Sequence, residues 1–186
     1  GVHIIDCGLA STPAMFMTTV DLGTDGAVQI TASHHPADRN GLKFFTRDGG
    51  LDGADISEIL SLAQSGQKCE KANGSVEKYD FMNDYSAILR DMIIREVGKG
   101  EKPLENLKIV VDAGNGVGGF YATDVLAPLG ADTAGSVYLD PDGNFPSHAP
   151  NPENAQAMEL ELLQENFDQL NIYLDTAFST QTESIR

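Results

Sequence analysis

The run Thr31-Ala32-Ser33-His34-His35-Pro36-Ala37-Asp38-Arg39-Asn40-Gly41-Leu42-Lys43 gathers the residue types of this sequence best suited to chemistry. A serine hydroxyl on a loop at a strand end can accept a phosphate, and His34, Arg39, Lys43 and Arg47 lie near enough in sequence to neutralise it. Phosphoryl transfer asks a protein mainly for positioning and for charge against the transferred group. An ordinary polar hairpin loop would carry the same residues, because surface lysine and arginine are usually only solvated. Spacing alone leaves both readings open.

The rest of the chain gives this cluster its contrast. Twenty-eight acidic against 12 basic side chains give a formal charge of -16. Such a surface repels nucleic acid and anionic lipid, so neither is expected as a partner. An anionic substrate must then be received by a local island of Lys, Arg, backbone N–H or metal. With 186 residues and 41% hydrophobic content the chain can bury a core. Cys7 and Cys69 stand far apart without metal-ligand spacing, which predicts two reduced thiols and a reducing compartment. No apolar run reaches the length of a membrane span, and Gly1-Val2-His3 reads as a start cut from something longer. Asn73-Gly74-Ser75 fits the glycosylation pattern but has no secretory signal before it.

The elements that must position the serine loop follow from hydrophobic period and breakers. Residues 2–5 and 27–31 read as strands, and 42–46 as another after Asn40-Gly41, a dipeptide suited to a tight turn. Thr12-Pro13 predicts a helix start with Thr12 as N-cap, and Asp55 with Glu58 predicts a capping pair before Ile56, Ile59, Leu60 and Ala63. Met82, Tyr85, Leu89, Met92 and Ile93 form one helical stripe, ended by Gly98, Gly100 and Pro103. Beyond it, 107–111 reads as a strand, 119–129 as a helix and 132–139 as a strand, a βαβ unit. A helix from Asn151-Pro152-Glu153 to Phe167 and a strand over 170–174 complete the pattern. The fold class is α/β.

Two further motifs have competing readings. Gly114-Asn115-Gly116-Val117-Gly118-Gly119 satisfies G-x-G-x-x-G, and Asp140 lies about twenty residues on, as in a dinucleotide-binding fold. Any tight strand-to-helix turn favours the same glycines, so an NAD-binding oxidoreductase is the distant alternative. Asp140-Pro141-Asp142-Gly143-Asn144 has Gly143 at the wrong position for a calcium loop and reads as a turn. His148, between Pro146 and Pro150, reads as an exposed structural histidine.

T-A-S-H-x-P followed by N-G-x-K resembles the active-site serine loop of the α-D-phosphohexomutases, the phosphoglucomutase and phosphomannomutase family. Asp6-Cys7-Gly8-Leu9-Ala10-Ser11-Thr12-Pro13 resembles the segment before that loop. Val111-Asp112-Ala113-Gly114-Asn115-Gly116 resembles the start of the family's second domain. Asp142-Gly143-Asn144-Phe145-Pro146 through Asn151-Pro152-Glu153 resembles a later loop and helix start. Arg39-Asn40-Gly41 and Phe44-Phe45-Thr46 resemble the type found in photosynthetic organisms. The resemblance implies mixed-sheet domains: the later part of domain I over residues 1–100, and a truncated domain II over 104–186. It implies that Ser33 is a phosphoserine donating to a hexose phosphate through a hexose 1,6-bisphosphate. Lys43 would act near the transferred group, His34 would support the loop and Arg39 would bind phosphate. The compartment implied is cytoplasmic or plastid.

The family's metal loop, D-x-D-x-D-R, would follow the strand over 170–174, with Mg²⁺ held by its carboxylates and by the phosphate on Ser33. Here Asp175 is followed by Ala177 and Ser179 where the second and third carboxylates belong, and by Thr180 in place of arginine. Two further domains holding the sugar are also expected beyond this stretch. A phosphohexomutase impaired by an altered frame, splice or truncation, or else a noncatalytic remnant or sugar-phosphate-binding module, is therefore expected. Removal of partner domains predicts an uncovered apolar face.

Overall fold

A computed structural model of the chain describes residues 1–66 and 73–151. The chain gathers into two compact units, Gly1–Ile30 with Leu42–Phe81, and Thr31–Gly41 with the chain from Met82 onward. The elements are α and β throughout, with one parallel and one antiparallel sheet.

The first unit opens with β1 (His3–Asp6) and α1 (Thr12–Asp21). The N-cap of α1 is Ser11, not Thr12 as the sequence suggests. Ser11 keeps an extended backbone, and its Oγ accepts from Ala14 N at 3.3 Å. A cap on Thr12 would aim at the amide of Met15, which already bonds Ser11 O at 3.0 Å. Strands β2 (Ala27–Ile30), β3 (Leu42–Thr46) and the short β4 (Gly49–Gly50) form an antiparallel sheet. Ala27 faces Phe45 and Gln29 faces Lys43 in its register. Period-two alternation therefore puts Ala27, Gln29, Lys43 and Phe45 on one face. Helix α1 covers that face: the Phe16 and Phe45 rings meet edge-on at 6.0 Å, and Thr19 Oγ1 donates to Phe16 O and Thr46 O. Val28, Ile30 and Leu42, on the opposite face, are 46%, 68% and 55% exposed, an uncovered apolar row.

Helix α2 (Gly53–Ser65) is capped three residues earlier than expected. Asp52 Oδ1 accepts from Ala54 N and Asp55 N, while Asp55 Oδ2 accepts from Asp52 N. The reciprocal pair is thus Asp52 with Asp55, because the box needs its first carboxylate on the residue still outside the helix. Strand β5 (Ser75–Lys78), whose sequence has little strand character, pairs in parallel with β1, with Val76 opposite Ile4.

Helix α3 (Phe81–Val97) matches the predicted stripe, with Tyr85 buried and Met92 46% exposed at the far end. In the second unit the Arg90 guanidinium donates to Asp124 O, and the Tyr85 and Phe120 rings lie 6.1 Å apart. Burial raises the phenol pKa of both Tyr85 and Tyr121, holding each neutral. The core there is Ile109, Val111, Ala122, Leu126 and Ala131, with Leu104 and Leu139 against it.

The expected strands over 107–111 and 132–139 do lie side by side in parallel, but as two isolated bridging pairs, Lys108 with Asp132 and Asp112 with Val137. The reason is local. Thr133 to Ser136 folds into a turn, and Ser136 Oγ takes the Val111 amide at 3.0 Å, interrupting the ladder between the two pairs. The expected helix over 119–129 is a single 3₁₀ turn, Val117–Gly119, followed by a wider π-helical segment, Tyr121–Leu126. Gly118, Gly119 and Pro128 bracket this stretch with the poorest helix formers. The predicted helix from residue 152 and strand over 170–174 lie outside the described residues.

Candidate functional site

The serine loop leaves β2 at Ile30 and returns at Leu42. Its base is closed by Thr31 N donating to Gly41 O at 2.9 Å, and a Cβ on Gly41 would stand 2.9 Å from Thr31 O. Glycine is therefore required there for close approach. Neither Asn40 nor Gly41 has the positive φ of a tight two-residue turn. The left-handed residue of the loop is Ser33, with φ 56°. A non-glycine residue in that region is strained by about 1–2 kcal/mol, and such strain clusters at functional sites.

Local bonds hold the serine in this posture. Its N–H donates to Thr31 Oγ1 at 2.9 Å, and His35 N donates to Ala32 O at 3.0 Å. Ser33 Oγ and His34 Nδ1 are 3.3 Å apart, and the His34 ring stacks obliquely on His35 with centroids separated by 4.6 Å. Ser33 is half-buried while His34, His35 and Arg39 are exposed. Arg39 sits on a second turn, its N–H bonded to Pro36 O at 3.0 Å. The loop thus presents a hydroxyl beside an imidazole, with a guanidinium on the same loop.

Lys43 belongs to the other compact unit, on β3 opposite Gln29. It is half-buried, and desolvation lowers its pKa below that of an ordinary lysine. An amine so placed gives up its proton more readily than a surface lysine does, which suits it to proton transfer.

The glycine-rich turn of the second unit has its amides committed internally. Gly114 N donates to Asp112 Oδ1 at 2.8 Å, Asn115 N to Tyr138 O at 2.9 Å and Gly116 N to Ala113 O at 2.7 Å. A Cβ on Gly119 would stand 2.0 Å from Leu139 O. These glycines serve close packing and internal bonding, and the amides of residues 114–116 are already occupied. Asp142 Oδ1 accepts from Asn144 N and Nδ2, so the Asp140 to Asn144 run is a turn.

His148 differs from its expected exposure. Its side chain is only 10% exposed, and Nε2 lies 3.3 Å from Asp112 Oδ1. Flanking prolines suggested a solvent-exposed residue, but the long loop from Asp140 folds back and seats the ring over Gly114. The bare α-carbon of that glycine was the one sequence signal for a side chain packed on the turn.

In the first unit a cavity of about 350 Å³ opens at the carboxyl ends of β1 and β5, lined by residues 6–9 and 78–80. Cys7 on its wall is a free thiol whose pKa is raised by burial and by Asp6, which keeps it protonated and unreactive.

Asp175, Ala177, Ser179 and Thr180 of the expected metal loop lie outside the described residues, as does Cys69. Among the described residues no three His, Cys, Asp or Glu side chains cluster as a metal site. The donors at 175, 177 and 179 are one carboxylate, a methyl and a hydroxyl, which do not match the three-carboxylate set that Mg²⁺ favours there.

With this geometry in view, the family comparisons are specific. Residues 1–69 match the model described as phosphoglucomutase/phosphomannomutase, alpha/beta/alpha domain I, and residues 86–180 match domain II of the same family. The chain belongs to the phosphoglucomutase/phosphomannomutase family. It is 32% identical over 160 residues to a phosphoglucomutase of Neisseria gonorrhoeae, covering 86% of this chain and 33% of that protein. It is 33% identical over 173 residues to a phosphomannomutase/phosphoglucomutase of Pseudomonas aeruginosa, covering 90% of this chain and 35% of that protein. A family protein from Burkholderia thailandensis, solved by X-ray crystallography, superposes with a TM-score of 0.66 at 32% identity over 89% of this chain and 34% of its own. The chain spans about a third of the length of the relatives it matches. Among the described residues no helix is long and apolar enough to cross a membrane.

Proposed function

We propose that this chain carries the phosphoserine half of a phosphohexomutase, an isomerase that interconverts the 1- and 6-phosphates of glucose or mannose as part of a longer protein. Phospho-Ser33 would transfer its phosphoryl group to the free hydroxyl of a hexose monophosphate. The P–Oγ bond breaks and Ser33 Oγ takes up a proton, while the sugar oxygen forms the new P–O bond and its hydroxyl proton passes to a nearby base. The hexose 1,6-bisphosphate then returns the phosphoryl group from its other end to Ser33. The observation that carries this reading is the left-handed Ser33 with its Oγ 3.3 Å from His34 Nδ1, in a loop of the family's sequence. His34 supports the serine, Arg39 receives phosphate oxygens, and Lys43, with its lowered pKa, exchanges the proton.

The family resemblance implies Mg²⁺, but the donor set at 175–179 fits it poorly, and no step here is assigned to a metal. That poor fit favours a second reading, a module that takes up or holds phosphate without completing turnover. We divide the chain into a domain over residues 1–100 and another over 104–186. The positive φ of Gly98 and Gly100 before Pro103 supports a break there. The free Cys7 suits a reducing compartment, the cytosol or a plastid.

The test is intact mass before and after incubation with glucose 1,6-bisphosphate, with and without Mg²⁺, alongside Ser33→Ala. A phosphate gained only when Ser33 is present supports the transfer reading. Gain followed by loss to glucose 1-phosphate supports turnover, whereas no gain under either condition overturns the catalytic reading for this chain.

A further inference from the structure

His148 and Asp112 meet in the second unit in a way that no step of phosphoryl transfer uses. The ring has an oxygen at each nitrogen: Asp112 Oδ1 at 3.3 Å from Nε2 and Ala149 O at 3.0 Å from Nδ1. A neutral imidazole can donate from one nitrogen only, so the other lone pair would face an oxygen. The imidazolium can donate from both. The surroundings fix the ring in place. A Cβ on Gly114 would stand 2.7 Å from the ring carbon Cε1, so the ring occupies the space only a glycine leaves. Tyr138, itself at a left-handed φ of 53°, presents its ring edge-on to His148 with centroids 5.8 Å apart. Asp112 faces the ring directly, and Asp140 and Asp142 lie on the same loop.

We propose that Asp112 and His148 form a proton-operated clasp, which fastens the loop over residues 140–149 onto the turn over residues 112–116 while the imidazole is doubly protonated. Two further bonds tie the same pieces: Asn115 Nδ2 donates to Asp140 O at 3.1 Å and Asp142 N donates to Asn115 O at 2.8 Å. As pH rises through the titration of the His148 imidazole, the charge pair with Asp112 and one of the two donors are lost together, and the loop loosens. This rests on the second unit alone and is independent of the transfer reading for Ser33.

The experiment follows hydrogen exchange of the Gly114, Asn115 and Asp142 amides in the 186-residue chain from pH 5 to 8, corrected for intrinsic exchange, with the His148 ring titration read by NMR in the same samples. Protection should fall about tenfold across this range with a midpoint on the ring titration. His148→Phe keeps a ring over Gly114 without nitrogens, and Asp112→Asn keeps the acceptor for Gly114 N without charge. Both should flatten the dependence. Protection independent of pH in the unmodified chain, a midpoint away from the ring titration, or an unchanged slope in Asp112→Asn would each overturn the clasp. The last comparison stands even where His148→Phe fails to fold.

Discussion

Ser33 Oγ stands 3.3 Å from His34 Nδ1 on a backbone turned into the left-handed region. The backbone strain therefore falls on the residue proposed to carry the phosphate. Replacing Ser33 with glycine keeps the N–H that bonds Thr31 Oγ1 and removes the Cβ that makes φ 56° costly. Ser33→Gly should stabilise the chain by about 1 kcal/mol in chemical denaturation while losing all phosphate uptake measured by mass. Ser33→Ala should lose uptake with no such gain. Equal stability of the two variants would show that the left-handed posture costs nothing.

Lys43 separates charge from packing. Its desolvated ammonium is lowered in pKa relative to the unfolded chain, so the unfolded state binds the proton more tightly. Stability from this group rises with pH on approaching the ordinary lysine range from below. It is least where the ammonium is charged in both states. Lys43→Met keeps the buried stem on the face shared with Phe45, so at neutral pH it should leave stability unchanged or raised. Phosphoryl transfer should fall by about a hundredfold if the amine exchanges the proton. Parallel denaturation and phosphate-uptake measurements check both halves, and a stability loss matching the activity loss would reduce Lys43 to a packing residue.

Gly119 tests how the second unit is built. A methyl there would meet Leu139 O at 2.0 Å, backbone against backbone, with no flexible side chain to yield. Gly119→Ala should cost about 3 kcal/mol or more, read as loss of near-ultraviolet dichroism from Tyr121 and Phe120. Gly143→Ala, whose added Cβ meets nothing within 4 Å, is the matched control and should be close to neutral.

The fold was legible where period and punctuation agreed. Strands β1 to β3 and helices α1 to α3 fall where alternation, helical stripe and breakers put them. Strand β5 was not legible. Ser75 to Lys78 is exposed throughout and is a strand only because the distant β1 offers a parallel edge, which no local pattern encodes. Likewise the breakdown of the 107–111 and 132–139 pairing is decided by Ser136 Oγ reaching Val111 N across 25 residues. At the site, residue type and order left the serine loop open between a phosphate acceptor and an ordinary polar hairpin, and the family resemblance singled out Ser33 and His34. The left-handed φ of Ser33 and the burial of His148 could not, since both arise from chain return. Asn40-Gly41 suggested positive φ by composition, yet the loop needed its glycine for the approach to Thr31 O and placed the strain on the serine.

The start of α1 offers a test that distinguishes two adjacent hydroxyls. Sequence pattern favours Thr12, next to Pro13, as the cap, whereas in the fold Ser11 Oγ accepts the Ala14 amide and Thr12 is already the first helical residue. An N-cap side chain satisfies a donor that the helix cannot, and its removal typically costs about 1 kcal/mol. A threonine inside the first turn satisfies none, and its replacement by alanine slightly improves helix propensity. Ser11→Ala should thus lower the urea midpoint at unchanged slope, and Thr12→Ala should leave it unchanged or raise it. Because Ala14 is buried under this cap and α1 covers the face that carries Lys43, the Ser11 variant should also shift the Lys43 ammonium resonance in NMR spectra. The opposite ranking would move the helix start by one residue and, with it, every inward-facing position of α1.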